Sequence, residues 1–361
     1  VLFGSRVRPK ALAALGGVAL LIGLLGALVG TLLGDTTGSL TSKKVTLAQS
    51  GSPERVDGAI SKVVDAIMPS VVSIQASAGE QADTGSGAVI DGKGYIITNN
   101  HVISLVANDT SGQGKILITF SDGHRAPARI VGRDTKTDLA VLKVDNVKNL
   151  TVAQLGRSDD VRVGQDVLAV GSPLGLSKTV TSGIVSALHR AVPLKGEGSD
   201  TDAVIDAVQT DASINPGNSG GPMVDFRGRI IGINSAIRTE SGGSVGLGFA
   251  IPVDTMAQIA QGLIRDGRVH HPELGISAKQ TTTVTNDVRT GAEVQNVAAN
   301  SPAARAGIVE RDIILKVGDR PVTSASELTV AVQALAIGQS VSIQLIRDGR
   351  IVDVPVTLGS D

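Results

Sequence analysis

Short apolar runs separated by turns dominate the hydrophobic pattern between residues 71 and 251. Six of them are Val71–Ile74, Gly87–Ile90, Tyr95–Thr98, Ile116–Phe120, Ala140–Val144 and Asp166–Val170. Gly, Asp and Asn residues fill the intervals, and no interval holds a helical pattern long enough for a parallel α/β sheet. The pattern therefore predicts a mostly β fold, either a sandwich or a barrel.

Helical periodicity flanks this β region. It appears in Val56–Ile67, which Pro69 ends, and in Pro252–Arg265. The segment Gly267–Pro272 (GRVHHP) is a predicted hinge. Beyond it, further strands and helices predict a second, small α+β domain: Ala292–Val297, Asp312–Val317, Ser340–Arg347 and Arg350–Val356 as strands, and Ala303–Ala306 and Ser324–Leu335 as helices.

The N-terminal segment Ala11–Leu33 contains 23 residues without a charge. A bilayer core needs about 20 apolar residues, so the segment predicts a transmembrane helix. Arg6, Arg8 and Lys10 precede it and Asp35 follows it, which predicts a cytoplasmic N-terminus and extracytoplasmic domains. A cleaved signal peptide is the alternative, although its apolar core usually spans only about 7 to 15 residues.

These patterns give a four-part organisation. We predict a single-pass membrane helix at 11–33, a flexible linker at 34–54, a β domain at 55–266 and a second domain at 272–359. The linker is rich in Ser, Thr, Gly, Lys and Gln, a composition that does not offset the entropy of ordering. Because the chain begins with Val1 rather than methionine, we also expect an N-terminal piece to be missing.

Composition excludes several functions. The 33 basic and 34 acidic residues give a formal net charge of −1, and with 1 Tyr, 4 Phe and 0 Trp there is no aromatic platform for bases, so nucleic acid is not an expected partner. The count of 0 Cys excludes disulfides, thiolate metal sites and a cysteine nucleophile. We predict no metal and no cofactor.

A serine between glycines is the first candidate for chemistry. Ser219 lies in Gly217–Pro222 (GNSGGP), where glycines permit a tight turn whose N–H groups converge on one point. Acyl transfer needs a nucleophile placed in this way. On its own, the segment is equally well explained as a glycine-rich β-turn.

A histidine and an aspartate complete the candidate set. His101 follows the predicted strand Tyr95–Thr98, and Asp138 begins the apolar run that ends at Val144. We interpret His101 as a loop residue held by a rigid scaffold and Asp138 as a carboxylate buried against it. The nearby carboxylates, Asp134 and Asp145, are interpreted as solvated turn residues, and the remaining four histidines as structural or exposed.

The order His101, Asp138, Ser219 is that of the chymotrypsin-type triad. The surrounding runs GSGAVIDGKGYIITNNHVI, TDLAVLKV, QTDASINPGNSGGPMVD and GLGFAIP, which fall within residues 71–252, closely resemble the HtrA (DegP-like) serine proteases. The resemblance implies a chymotrypsin-like double β-barrel followed by one PDZ domain. It also implies a serine endopeptidase that cleaves unfolded or damaged proteins in protein quality control.

The same resemblance suggests roles for further residues. Gly217, Asn218 and Ser219 would form the oxyanion hole, and Ile214 would line a pocket for small or medium apolar side chains. Backbone pairing with substrate would fall to Ile233, Asn234 and Ser235. A sensor loop would run from Leu188 to Asp200, with Arg190 contacting the activation loop. The PDZ loop Leu274, Gly275 and Ile276 would bind the carboxylate of C-terminal peptides.

Members of this family are commonly homotrimers, so the resemblance implies a trimer built through the N-terminal part of the protease domain. Two other functions stay open on the sequence alone. One is a membrane-tethered PDZ module or holdase chaperone with an inactive protease fold. The other is an esterase acting on small substrates.

Overall fold

The structure, a computed structural model, describes residues 9–37, 58–172, 179–195, 199–235, 246–284 and 288–361. The chain divides into two compact units, Val1–Val56 and Asp57–Asp361. Within the first unit, helix α1 covers Pro9–Thr37. None of the helices in the described ranges combines the length and apolar character that a bilayer crossing needs. The membrane span at 11–33 stays a prediction from the sequence.

The second unit is mostly β. Its helices are α2 (Ala59–Ile67), α3 (Asn100–Ala107), α4 (Val253–Asp266), α5 (Pro302–Arg305) and α6 (Ala325–Gln333). Its first twelve strands are β1 (Val71–Ala78), β2 (Gln81–Asp91), β3 (Tyr95–Thr98), β4 (Lys115–Thr119), β5 (Arg125–Asp134), β6 (Leu139–Val144), β7 (Asp166–Gly171), β8 (Thr179–Lys195), β9 (Asp202–Thr210), β10 (Pro222–Asp225), β11 (Ile230–Ser235) and β12 (Gly248–Pro252). The other eight are β13 (Pro272–Glu273), β14 (Ile276–Val284), β15 (Val288–Val297), β16 (Ile313–Val317), β17 (Arg320–Pro321), β18 (Ser340–Arg347), β19 (Arg350–Thr357) and β20 (Gly359–Ser360).

Twelve strands form two closed barrels. The strand order is β1-β2-β3-β6-β5-β4 in the first barrel and β10-β11-β12-β9-β8-β7 in the second. Closure leaves neither sheet with a free edge strand, because every strand has a neighbour on both sides. The predicted mostly β fold is thus a pair of barrels.

One hydrophobic core joins the two barrels. It unites first-barrel residues such as Ile97 and Leu139 with second-barrel residues such as Leu168 and Ile233, all of them fully buried. Helix α4 covers this core with Met256 and other apolar side chains. The shared core fixes one barrel against the other, so side chains contributed by both can form a single site.

The C-terminal domain has a core of its own. Strands β14, β15, β16, β18 and β19 lie in that order in one sheet, and β17 pairs with β16. Sixteen buried apolar residues, among them Leu274, Ile314 and Leu345, form its core cluster. This is the small α+β domain that the sequence predicts.

Strands β8 and β9 form a long antiparallel pair, which we call the β8–β9 hairpin. Up to Lys195, the predicted sensor loop from Leu188 to Asp200 is strand rather than loop, because β8 continues to Lys195 and residues 190–195 pair with β9. Midway along the hairpin, Nη1 and Nη2 of Arg320 donate to the Asp206 carboxylate, at 2.8 and 2.9 Å. This pair joins the C-terminal domain to the second barrel.

A second contact joins the predicted hinge to the first barrel. His271 Nε2 lies 2.9 Å from Asp134 Oδ2, and both side chains are less than a tenth exposed. The backbone N–H of His271 also donates to Asp361 Oδ1. The Asp361 carboxylate in turn lies 2.5 Å from Lys136 Nζ. Asp134 is therefore not the solvated turn residue that the sequence predicts.

Candidate active site

His101 and Asp138 are in direct contact. Nδ1 of His101 lies 2.8 Å from Asp138 Oδ2, and the backbone N–H of His101 donates to Asp138 Oδ1 at 3.0 Å. His101 lies in the first turn of α3 rather than on the predicted loop. Its side chain is 26% exposed, whereas that of Asp138 is 1% exposed. The imidazole thus faces outward from a buried carboxylate.

Four donors surround the Asp138 carboxylate. Besides the two groups of His101, Thr201 Oγ1 donates to Oδ1 at 3.3 Å and Ser235 Oγ donates to Oδ2 at 3.2 Å. A buried carboxylate is tolerated only when such hydrogen bonds replace its lost hydration. Asp138 also adopts a φ of 57°, in the left-handed region where Asp and Asn are enriched.

The backbone carbonyl of Asp138 is held as well. It accepts hydrogen bonds from Asn99 Nδ2 at 2.9 Å and from Asn100 N–H at 3.1 Å. These contacts tie the turn before β6 to the start of α3. The position of Asp138 against His101 is thus fixed by both its side chain and its backbone.

The contact assigns the proton on His101. A carboxylate only accepts hydrogen bonds, so Nδ1 carries the proton and Nε2 presents a lone pair. Burial lowers the pKa of His101, whereas the charge of Asp138 and its hydrogen bond raise it, with a smaller contribution from Asp83. The balance places the pKa above the ordinary value of 6.5. This imidazole is a stronger base than a free one.

Ser219 lies in a tight turn between β9 and β10. Asn218 N–H donates to Asn215 O at 3.1 Å, while the Asn218 side chain accepts from Asn215 N–H and donates to Ser213 O. The backbone N–H of Asn218 is therefore used within the turn, between the two residues whose N–H groups are the predicted oxyanion donors. Gly217 has a φ of 104°, which side-chain-bearing residues rarely adopt.

The first barrel packs directly on this turn. Ser86 N–H donates to Ser219 O at 2.8 Å, and Ser86 Oγ donates to Gly217 O at 2.6 Å. At Gly220, a Cβ atom would lie 2.3 Å from Ser86 O and from Thr98 Oγ1, and 3.1 Å from Asn99 N. The serine turn is thus in contact with the residues that lead into the helix of His101.

Strand β11 does not have the role that the sequence predicts. It lies between β10 and β12, and Asn234 already exchanges both backbone hydrogen bonds with Gly220 and Gly221 at 2.9 Å. An interior strand has no free edge for a substrate, so the structure contradicts substrate pairing by Ile233 and Asn234. Ser235 instead binds Asp138 through its hydroxyl.

The structure also describes three other predicted residues or segments. Ile214 is 6% exposed and packs with Ala169 and Ala212. Arg190 is exposed on β8, where it pairs with Ala207 of β9. In the PDZ loop, Gly275 has a φ of 71°, and the carbonyls of Leu274 and Gly275 accept from Ala303 and Ala298 N–H. Ile276 begins the edge strand β14.

Sequence reasoning missed the residues that support the triad. Ser86, Asn100 and Thr201 are buried polar residues that belong to neither the serine turn nor the candidate triad. A polar side chain at a buried β position is the available signal for Ser86, which lies in the strand GSGAVI. In the part of the chain that the structure describes, no group of three or more His, Asp or Glu side chains is arranged to hold a metal ion.

Comparison with known proteins agrees with this arrangement. Residues 85–233 match the trypsin-like peptidase domain family, and residues 272–358 match the PDZ domain family. Serine protease PepD of Mycobacterium tuberculosis H37Rv is 45% identical over 314 residues, which cover 84% of this chain and 66% of PepD. Periplasmic serine endoprotease DegP of Escherichia coli K12 is 40% identical over 280 residues, covering 76% of this chain and 56% of DegP.

Solved structures extend the likeness to the three-dimensional fold. The structure of the HtrA-type protease AlgW with a tripeptide aligns with a TM-score of 0.65 at 36% identity, covering 84% of this chain and 98% of AlgW. The chain belongs to the HtrA family of trypsin-like serine proteases. A second HtrA neighbour, the serine endoprotease from Yersinia pestis, aligns with a TM-score of 0.61 at 36% identity and is covered to 99%. This HtrA chain spans 66% of PepD and 56% of DegP, so these relatives are longer.

Proposed function

We propose that this HtrA chain is an extracytoplasmic serine endopeptidase that cleaves unfolded or damaged proteins. The observation that carries the proposal is the buried Asp138 carboxylate, bonded to His101 at 2.8 Å, beside a serine turn that packs on the same barrel. The location is supported by relatives such as the periplasmic DegP of Escherichia coli. A homotrimer remains a prediction from the family resemblance.

The mechanism follows from the protonation of His101. Nε2 takes the proton of Ser219 as its hydroxyl oxygen attacks the peptide carbonyl, and later returns that proton to the leaving amine. Asp138 holds the imidazole in this tautomer and stabilises the imidazolium. The N–H groups of Gly217 and Ser219 bind the developing oxyanion, each contributing about 2.7–4 kcal/mol in the transition state.

Ile214 sets the substrate preference in this proposal. It lies five residues before Ser219 and packs with Ala169 and Ala212, so its surroundings are apolar. A pocket of this kind favours small or medium apolar side chains, because a charged side chain would lose its hydration there.

The rival functions give different results in one experiment. The purified chain is incubated with unfolded casein and, separately, with a small activated ester. An endopeptidase degrades casein, an esterase cleaves only the ester, and a holdase cleaves neither while it suppresses casein aggregation. We expect casein degradation, and intact casein after prolonged incubation would overturn the proposal.

Activity is expected to fall with pH as His101 becomes protonated. Protonated imidazole cannot accept the Ser219 proton, so kcat/KM is lost as the pH drops through the pKa of His101. Since that pKa is raised above 6.5, the midpoint of the acid limb should lie above pH 6.5. The measurement is kcat/KM of a peptide reporter from about pH 5 to pH 9. A midpoint below 6.5 in the folded chain would contradict this assignment.

The second domain supports a regulatory role. Strand β14 is an edge strand, and α6 packs beside it, which is the setting for peptide addition to a PDZ sheet. Helix α6 also contacts β8 and β9, and Arg320 bonds to Asp206 on the same hairpin. A peptide that alters α6 therefore has a contact route to the second barrel. It shifts activity only if it binds one arrangement more tightly.

Peptides with hydrophobic C-termini are expected to stimulate cleavage. A coupling of about 1–3 kcal/mol would raise the rate about 5- to 150-fold if the resting state is mainly inactive. Arg320→Gln, which removes the pair with Asp206, should reduce this ratio, and Arg190→Ala should reduce it as well. The matched control is Arg350→Gln, which removes one exposed positive charge from the same domain. Cleavage rate is measured against peptide concentration, and equal stimulation in all variants would contradict coupling through the hairpin.

A further inference from the structure

One hydrogen bond to the Asp138 carboxylate comes from a residue that is distant in sequence. Thr201, 63 residues further along the chain, donates its hydroxyl to Asp138 Oδ1 at 3.3 Å. Thr201 is 5% exposed and immediately precedes β9, at the turn end of the β8–β9 hairpin. The second barrel thus contacts the carboxylate through both Ser235 and Thr201.

The direction of the Thr201 hydroxyl proton is determined by its neighbours. Asn100 Nδ2 donates to Thr201 Oγ1 at 3.0 Å, and Ser199 Oγ lies 2.9 Å from it. An amide nitrogen has no lone pair to offer and a carboxylate has no proton to donate. Between Ser199 Oγ and the Asp138 carboxylate, the charged carboxylate is the stronger acceptor, so the hydroxyl proton points to Asp138. Ser199 Oγ accepts from Thr201 N–H and in turn donates to Thr201 Oγ1. Every hydrogen-bonding site of this hydroxyl is therefore used.

An ion pair fixes the orientation of Asn100. Its Nδ2 also donates to Asp200 Oδ1 at 3.1 Å, while its Oδ1 accepts from Arg133 Nη1 at 3.4 Å. Arg133 and Asp200 are bonded to each other, and Arg133 Nη2 donates to Asn108 at 3.0 Å. The Asn100 oxygen thus faces a cation and its nitrogen faces an anion, which sets the amide in one orientation.

Asp200 is ionised when the triad operates. Partial burial raises the pKa of Asp200, but hydrogen bonds from Arg133 and Asn100 outweigh it and hold that pKa below the ordinary value. The Asp200 carboxylate therefore stays charged at neutral pH. The chain of contacts from Arg133 through Asn100 to Thr201 ends on the carboxylate that holds His101.

We propose that Thr201 is a positioning residue for Asp138, oriented by Asn100 and anchored by the Arg133–Asp200 ion pair. Its hydroxyl neutralises part of the charge on Oδ1 and keeps the carboxylate in the rotamer that presents Oδ2 to His101. This inference rests on the proposed serine peptidase function. It extends that function to a residue on the turn end of the β8–β9 hairpin.

The test compares Thr201→Val with Thr201→Ser in the full chain. Valine keeps the shape but removes the hydroxyl, so kcat is expected to fall about 10-fold with little change in KM. The unshielded carboxylate then attracts the imidazolium more strongly, which raises the pKa of His101 and moves the acid limb of kcat/KM to higher pH. Serine restores both values. Rates are expressed per site labelled by a fluorophosphonate, so unfolded protein does not count.

Two further variants complete the design. Ser70→Ala removes another buried hydroxyl, one that donates to Ile67 O at 2.7 Å, and should leave kcat and the pH profile unchanged. Arg133→Gln removes the ion pair with Asp200 and changes a side chain that is only partly buried. It should lower kcat and move the acid limb to higher pH, as Thr201→Val does, but by less. It also provides the test if the valine variant does not fold.

The outcomes separate the two proposals. The positioning role alone would be overturned if the wild type hydrolyses the peptide reporter and Thr201→Val has the same kcat and the same acid limb as the wild type. If the valine variant is unfolded, the same comparison is made with Arg133→Gln. Failure of Thr201→Ser to restore the pH profile would also overturn it. A folded wild type without hydrolysis would overturn the proposed function and this inference with it.

Discussion

Replacing Ser219 by alanine is expected to abolish peptide hydrolysis while leaving the fold intact. The three triad groups act as a unit, so loss of the nucleophile alone should lower kcat by about 10⁶-fold. The substitution removes one hydroxyl, whereas the turn is held by backbone contacts, among them Ser86 N–H to Ser219 O at 2.8 Å. The measurement is kcat on a peptide reporter, with the thermal unfolding midpoint measured on the same samples.

Ser70→Ala is the matched control for this change, because it removes a buried hydroxyl far along the chain from the serine turn. Its kcat should equal that of the wild type. Hydrolysis by purified Ser219→Ala at more than about one thousandth of the wild-type rate would show that another group is the nucleophile.

Asp138→Asn is expected to lower kcat by about 10⁴-fold, the size of effect that the corresponding change has in the trypsin triad. An asparagine Nδ2 facing His101 donates to Nδ1, so the proton moves to Nε2 and the imidazole can no longer accept from Ser219. Asparagine suits the φ of 57° at this position, so the backbone stays unstrained. KM should change little.

The measurement for Asp138→Asn is again kcat and KM of the peptide reporter, together with the unfolding midpoint. The expected result is a folded protein with a large loss in kcat. A folded variant whose kcat lies within 10-fold of the wild type would contradict the assigned tautomer. A loss of activity that only follows unfolding would contradict it as well.

Much of this site could be predicted because its chemistry is local in sequence. Ser219 lies among glycines that a tight turn requires, and Asp138 begins an apolar strand, so each residue type is explained by its immediate neighbours. The spacing of β-branched runs likewise predicts the β fold. Closure into two barrels and a separate sheet depends on strand pairing, which periodicity alone does not specify.

Two of the incorrect predictions have identifiable causes. The family resemblance implies that β11 pairs with substrate, but strand pairing places β11 between β10 and β12. The pattern predicts a loop at His101 because the eight residues of α3, directly after a strand, leave little periodic signal. Thr201 and Arg320 act across 63 and 114 residues, and no local pattern reports such distances.

Covalent labelling identifies the nucleophile itself. The chain is treated with a fluorophosphonate at neutral pH, and the modified peptide is identified by mass spectrometry. One adduct per chain is expected, on Ser219, formed more slowly in Asp138→Asn and absent from Ser219→Ala and from heat-unfolded protein. An adduct on another serine, or labelling of Ser219→Ala at the wild-type rate, would contradict the assignment of Ser219.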